Sequence, residues 1–509
     1  MGARASSWLL MFTLGCAPLA APVSPRPISA VVATEQGAVQ GVVSADSAVF
    51  KGIPFAAPPV GELRWRPPRA ARAWAGVRKA DRFALPCVQP GEASQSSEDC
   101  LYLNVWTDAK HEDERRPVMV WLHGGGFTGG MAGWSGFDGG NLAREGVVLV
   151  TLAYRLGALG FLAHPQLSAE SGKSSGNYGL QDQVAALRWV QRNVARFGGD
   201  PARVTLFGES AGAMSVSLLA GSPSARGLFS RAIAQSGGIF TPLHAGPLQA
   251  REFAEREGQR YLESLGVASI AQARALSSQR LIATTAEQRT HFWPVVDGDT
   301  VPAPNSELYQ SRRFLDTPIL IGMNSDEGAG SAPAEMTAAR FEELTFGMRC
   351  VQRNPEILRF YPHSTDAEAK EAFEDFQRDL SYGWNTWKWA QLQAAFGRQR
   401  AYVYYFDVRT AQWPTGAPHG ADVPYVFGNF ERAVEPANLS VSRLMRRYWI
   451  NFARSGDPNE PGLPPWPAFD EGSPRALVFD AASSARAYPQ LDHLRAMDEL
   501  YSKFVAGEC

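Results

Sequence analysis

Short apolar runs alternate along this chain with longer stretches whose apolar residues return at helical spacing. The runs Pro117–Leu122, Val147–Ala153, Val204–Phe207, Ala232–Gln235, Thr317–Ile321 and Ala401–Phe406 predict buried strands, with Ala476–Phe479 as the last. Ala30–Val43 predicts an N-terminal hairpin turned near Gln36-Gly37. Between strands, Leu180–Phe197 places Val184, Leu187, Val190 and Val194 on one helical face, and Gly198-Gly199-Asp200-Pro201 ends it. Alternating strands and helices imply a large, mostly parallel sheet covered on both faces, an α/β architecture. The stretches 251–281 and 334–393 are largely helical and fall outside the strand rhythm, so they are expected to form a cap over the sheet.

At 509 residues the chain exceeds the usual size of one domain. No repeat, linker or low-complexity tract divides it, and one catalytic domain over residues 22–509 is expected. The net charge of -2 and the absence of a basic stripe argue against a nucleic-acid partner. Arg4, the apolar run Trp8–Leu14 and the small residues Gly15, Ala17, Ala20 and Ala21 have the layout of an export leader. Residues 1–21 are therefore expected to be a signal peptide, with a secreted or periplasmic product. Thr13-Leu14-Gly15-Cys16 also hints at a lipoprotein site, which the residues before Gly15 disfavour. No later apolar run is long enough to span a bilayer. Arginine outnumbers lysine, as in GC-rich bacterial coding sequences.

Two segments carry the chemistry. After the strand at Val204–Phe207 comes Gly208-Glu209-Ser210-Ala211-Gly212, and then a run rich in Ala, Leu and Ser. A Gly-x-Ser-x-Gly between strand and helix holds its serine in a sharp bend with the hydroxyl projecting above the sheet. The strand Pro117–Leu122 breaks into His123-Gly124-Gly125-Gly126-Phe127. Consecutive glycines let the backbone offer N–H groups to an anion, the oxyanion-hole role of this position in α/β serine hydrolases.

With these two motifs in place, the chain from about Val31 onward resembles the type-B carboxylesterase/lipase family, the cholinesterase-like branch of the α/β-hydrolase fold. The resemblance includes Phe50–Arg64, Ser97–Trp106, Asn177–Gln183, Pro294–Gly298, Gly322–Gly328 and His419–Gly428, all in family order. It implies a serine carboxylesterase acting on small esters through an acyl-enzyme, with no cofactor and no metal. Ser210 is then the nucleophile, His419 the base and Glu327 the acid, with Asp326 as runner-up for the acid. Gly125, Gly126 and Ala211 supply the oxyanion donors. Glu209, beside the nucleophile, either tunes the site or lies hydrogen-bonded beneath it.

The resemblance also places Phe292 and Trp293 in the acyl pocket and implies a Cys87–Cys100 disulfide, which export favours as well. Cys350 and Cys509 are left as a possible second pair. Arg64 with Glu98, and Arg155 with Asp182, are expected as internal ion pairs, and Ser236 as a buried hydrogen-bonding serine near the site. Ala153 departs from the family's usual Asn. His493 is expected to be a surface residue of an amphipathic helix, His363 to precede a helix start, and His244 and His291 to be bystanders in loops. Two other readings remain. The same chemistry can serve lactones, amides or polyesters, and some relatives keep the fold as adhesion proteins without catalysis. Oligomeric state is not legible.

Overall fold

A computed structural model describes Gly2 and residues 28–44, 47–91, 95–243 and 245–509. Apart from Gly2, the expected leader, with Cys16, lies outside the described residues, as does His244. An eleven-stranded sheet forms the centre. Its order across the sheet is Ser484–Ala487, Arg475–Phe479, Ala401–Phe406, Ile319–Asn324, Arg231–Gln235, Gly199–Glu209, Arg116–Leu122, Val148–Leu152, Tyr102–Thr107, Ala48–Pro54 and Val42–Val43. The seven strands from Arg475–Phe479 to Val148–Leu152 run parallel. Antiparallel strands close both edges. This is the α/β-hydrolase fold expected, a large, mostly parallel sheet flanked by helices.

Both faces of the sheet are buried, which is why its strands read as continuous apolar runs rather than alternating ones. Val118, Val120 and Leu122 pack with the helix Tyr178–Asn193 on one face; Met119 and Trp121 pack with Trp449 and Phe427 on the other. The expected hairpin is present as Val31–Thr34 paired with Gly37–Gln40. The cap stretches hold the helices Arg251–Leu265, Ile270–Ala275 and Ser278–Glu287, then Ala338–Phe346, Asp366–Arg378 and Trp384–Phe396.

The chain leaves Arg116–Leu122 to form its neighbour Val148–Leu152, then crosses to the other side to form Gly199–Glu209. That reversal is a topological switch point, where open α/β sheets leave a crevice at the carboxyl ends of their strands. The glycine run and Ser210 leave the two strands that flank it.

The expected Cys87–Cys100 pair is a disulfide, and Cys350 pairs with Cys509. Two disulfides point to an oxidising, extracellular or periplasmic compartment. No helix among the described residues is long and apolar enough to cross a membrane.

Candidate active site

Ser210 sits at φ 54°, ψ −124°, a conformation that L-residues rarely adopt, between the strand ending at Glu209 and the helix Ala211–Ala220. The flanking glycines are required by space. A Cβ on Gly212 would collide with the Leu122 carbonyl, and one on Gly208 would come within 2.6 Å of the Gly212 backbone. Strand, turn and helix can therefore pack this closely only with glycine at both positions.

The glycine run turns back over the serine. Gly125 and Gly126 adopt φ 107° and 59°, in the left-handed half of conformational space. Thr128 and Gly129 both donate their N–H to the Gly125 carbonyl, which curls the loop. The N–H groups of Gly125, Gly126 and Ala211 are not used in any loop or turn hydrogen bond among the described residues. A Cβ on Gly124 would run into the Glu209 carboxylate and lie 2.9 Å from Ser210 Cβ. His123 anchors the run from below: it is buried, stacked on Tyr154 at 4.4 Å, and bonded through Nδ1 to the Gly124 carbonyl at 2.9 Å. Burial pulls its imidazolium down to about 4, so at neutral pH it is an uncharged strut.

Glu327 and His419 come from separate loops that are pinned together. Asp326 donates its N–H to the Ala417 carbonyl at 2.9 Å, and Asn324 Nδ2 donates to the Pro418 carbonyl at 2.8 Å. Glu327 is buried, and its Oε2 lies 2.5 Å from His419 Nδ1. Its Oε1 accepts the Asn324 N–H at 2.7 Å. Asp326 turns away and reaches Thr415 Oγ1 at 3.4 Å. Of the two candidate acids, the structure brings Glu327 to the histidine.

His419 Nε2 lies 3.1 Å from Glu209 Oε1. Ser210 Oγ makes no hydrogen bond among the described residues. The imidazole is thus bracketed by two carboxylates, with its outer nitrogen turned to the residue before the serine. Burial alone would lower the His419 pKa, but Glu327, Glu209 and Asp422 together raise it to about 9. Burial raises Glu209 to about 7 against the opposing pull of His419. Asp422, three residues after His419, is fully buried and accepts from Tyr404 OH at 2.7 Å and Gln235 Nε2 at 2.9 Å. The sequence pattern included Asp422 in its motif without assigning it work.

Other expected positions resolve unevenly. Arg64 meets Glu98 through two bonds of 2.8 and 2.6 Å, and Arg155 meets Asp182 at 2.8 and 2.7 Å. Phe292 is buried edge-to-face against Tyr261, while Trp293 faces Phe127 at 6.0 Å, next to the glycine run. His363 does precede a helix, capped by Thr365. Two expectations fail. The Ser236 hydroxyl is buried but finds no partner among the described residues; its backbone sits at φ 53° and donates its N–H to the Gly322 carbonyl. His493 is no simple surface residue: its Nδ1 lies 3.0 Å from buried Asp379. Helical periodicity could not show that a cap element would cover that face. A cleft of 320 Å³ opens beside Thr128, with apolar lining from Val88, Leu156, Leu159 and Leu281.

The Carboxylesterase family profile matches residues 28–495. Fumonisin B1 esterase of Sphingopyxis macrogoltabida is 36% identical over 496 residues, covering 92% of this chain and 89% of that protein. Para-nitrobenzyl esterase of Bacillus subtilis (strain 168) is 31% identical, covering 90% of this chain and 96% of that protein. Among solved structures, the carboxylesterase EST55 of Geobacillus stearothermophilus superposes with a TM-score of 0.81 at 33% identity, covering 92% of this chain and 100% of that one.

Proposed function

The chain belongs to the carboxylesterase family and is a carboxylic ester hydrolase, and from that premise we propose that it cleaves small esters through an acyl-enzyme on Ser210. The observation that carries this reading is the Glu327–His419 pair at 2.5 Å beside a serine held at a strained strand-to-helix turn. In this mechanism Glu327 holds the Nδ1 proton, and Nε2 takes the Ser210 proton as Oγ attacks the ester carbonyl. The N–H groups of Gly125, Gly126 and Ala211 receive the oxyanion; one such donor typically lowers the barrier by about 3–4 kcal/mol. His419 then protonates the leaving alcohol, and water, deprotonated by the same nitrogen, releases the acid.

To reach Ser210, Nε2 must leave Glu209. The bonded Glu209–His419 pair is the resting arrangement in this reading, and substrate binding shifts the imidazole toward the serine. In this reading the position of Trp293 against Phe127, next to the glycine run, favours uncharged esters, and one relative is named for a para-nitrobenzyl substrate. Residues 1–21 are read as an export leader.

The test is Ser210→Ala with a panel of alkyl esters. Hydrolysis should drop to less than about a thousandth of wild-type kcat while the fold is retained. An organophosphonate should add its mass to Ser210 and to no other residue. A Ser210→Ala variant that stays active, or labelling elsewhere, would mean a different nucleophile.

A further inference from the structure

Tyr382 lies over the imidazole of His419, with ring centroids 4.5 Å apart and planes inclined by 29°. It comes from neither of the two loops that carry the expected site residues. It sits in Asp379–Gly383, a single π-helical turn inserted between the helices Asp366–Arg378 and Trp384–Phe396. Such insertions turn a side chain out of helical register and recur at functional sites. The Tyr382 hydroxyl has no hydrogen bond among the described residues, so its ring makes the contact.

The turn is anchored at its first residue. Asp379 is buried and accepts from Arg378 Nε at 2.9 Å, Tyr361 OH at 3.0 Å and His493 Nδ1 at 3.0 Å. His493 belongs to the C-terminal helix Leu491–Ala506. At the turn's other end, Asn385 Oδ1 accepts the N–H groups of Phe240 and Thr241 at 2.8 and 3.3 Å. The preceding helix also braces the acid. A Cβ on Gly328, next to Glu327, would collide with the Glu374 carbonyl, and Gly330 N–H bonds Glu374 Oε1 at 2.9 Å. One helical segment therefore touches both the loop of Glu327 and the face of His419.

We propose that Tyr382 is a positioning residue that confines the His419 imidazole to the plane in which Nε2 can move between Glu209 and Ser210. Glu327 on Nδ1 acts as the pivot, and the stacked ring blocks the out-of-plane swing that would point Nε2 to solvent. In-plane rotation under a stacked ring keeps the aromatic contact, whereas tilting breaks it. Asp379, held by Arg378, Tyr361 and His493, keeps the π turn in place. This rests on the reading of His419 as the base.

The experiment compares Tyr382→Leu, Tyr382→Phe, His493→Gln and the double variant Tyr382→Leu/His493→Gln, with His419→Ala as control. Rates on an uncharged acetate ester are expressed per active site titrated by organophosphonate burst, so misfolded molecules do not count. Expected results are a tenfold or greater fall in kcat for Tyr382→Leu with KM changed less than threefold, and recovery of at least a third of wild-type kcat in Tyr382→Phe. His493→Gln should lower kcat two- to fivefold alone and add nothing in the double variant, because both act through one element. Tyr382→Leu at wild-type kcat per titrated site, or no recovery with Phe, overturns the proposal. Multiplicative effects in the double variant overturn the link to the C-terminal helix. His419→Ala at wild-type rate would instead overturn the assignment of the base.

Discussion

At the scale of single residues, two neighbouring carboxylates have different fates because the backbone between them turns. Glu327 is buried on His419 Nδ1, whereas Asp326 is half-exposed and reaches Thr415. Glu327→Gln should therefore cost at least about a hundredfold in kcat/KM, since the amide neither stabilises the imidazolium nor enforces its tautomer. Asp326→Asn should stay within about threefold. Steady-state kinetics of the two variants decide; the reverse order would move the acid by one residue. In the proposed mechanism the imidazole must be neutral at Nε2 to accept a proton, and the surrounding carboxylates raise its pKa to about 9. Activity should rise with pH, with the acid limb of kcat/KM centred well above the ordinary imidazole value of about 6.5. Glu209→Gln removes one of the lifting charges, so the limb should move to lower pH. A wild-type limb at or below about 6.5, or no movement in the variant, would contradict this account of the electrostatics.

At the scale of elements, the Arg155–Asp182 pair joins the segment after Val148–Leu152 to the helix Tyr178–Asn193, with both side chains buried. Asp182 also accepts the Arg155 N–H at 3.0 Å. Removing one partner leaves a buried charge without compensation, so Arg155→Met should destabilise the protein by about 3–5 kcal/mol. Replacing both partners with apolar residues should cost less. Urea midpoints of the single and double variants measure the difference, and equal losses would mean that the pair matters only as packing volume. The strand Ala401–Phe406 was legible to the residue. The strand Gly199–Glu209 was expected only from Val204, because Gly-Asp-Pro reads as a helix stop and not as the start of a strand. It is extended because Arg116 pairs with Gly199 across the ladder, a contact that local pattern does not encode. The strands Ala48–Pro54 and Tyr102–Thr107 were missed as elements, although most of their residues lay within the motifs Phe50–Arg64 and Ser97–Trp106.

At the scale of the whole molecule, the question is which esters the protein accepts. Quaternary ammonium groups bind over aromatic faces, tryptophan above all. The loop from Val88 to Asp99, closed by the Cys87–Cys100 disulfide, contains no Trp, Tyr or Phe. Uncharged acetate esters should therefore outperform an acetylcholine analogue in kcat/KM. A clear preference for the cationic substrate would require a cation site elsewhere in the molecule.

Features that lie within short segments could be read from the residues alone. The serine turn, the glycine run, the α/β rhythm and the pairing of Cys87 with Cys100 were all legible, because each depends on adjacent residues or on a resemblance carried by them. The resemblance also singled out Glu327 and His419 as positions. What surrounds the histidine emerged from the folded chain. Glu209 reaches Nε2, Tyr382 covers the ring, and His493 holds Asp379 from the C-terminal helix. The physical reason is distance along the chain. These contacts join loop, π turn and terminal helix only after the cap has folded onto the sheet, so no local spacing or periodicity announces them.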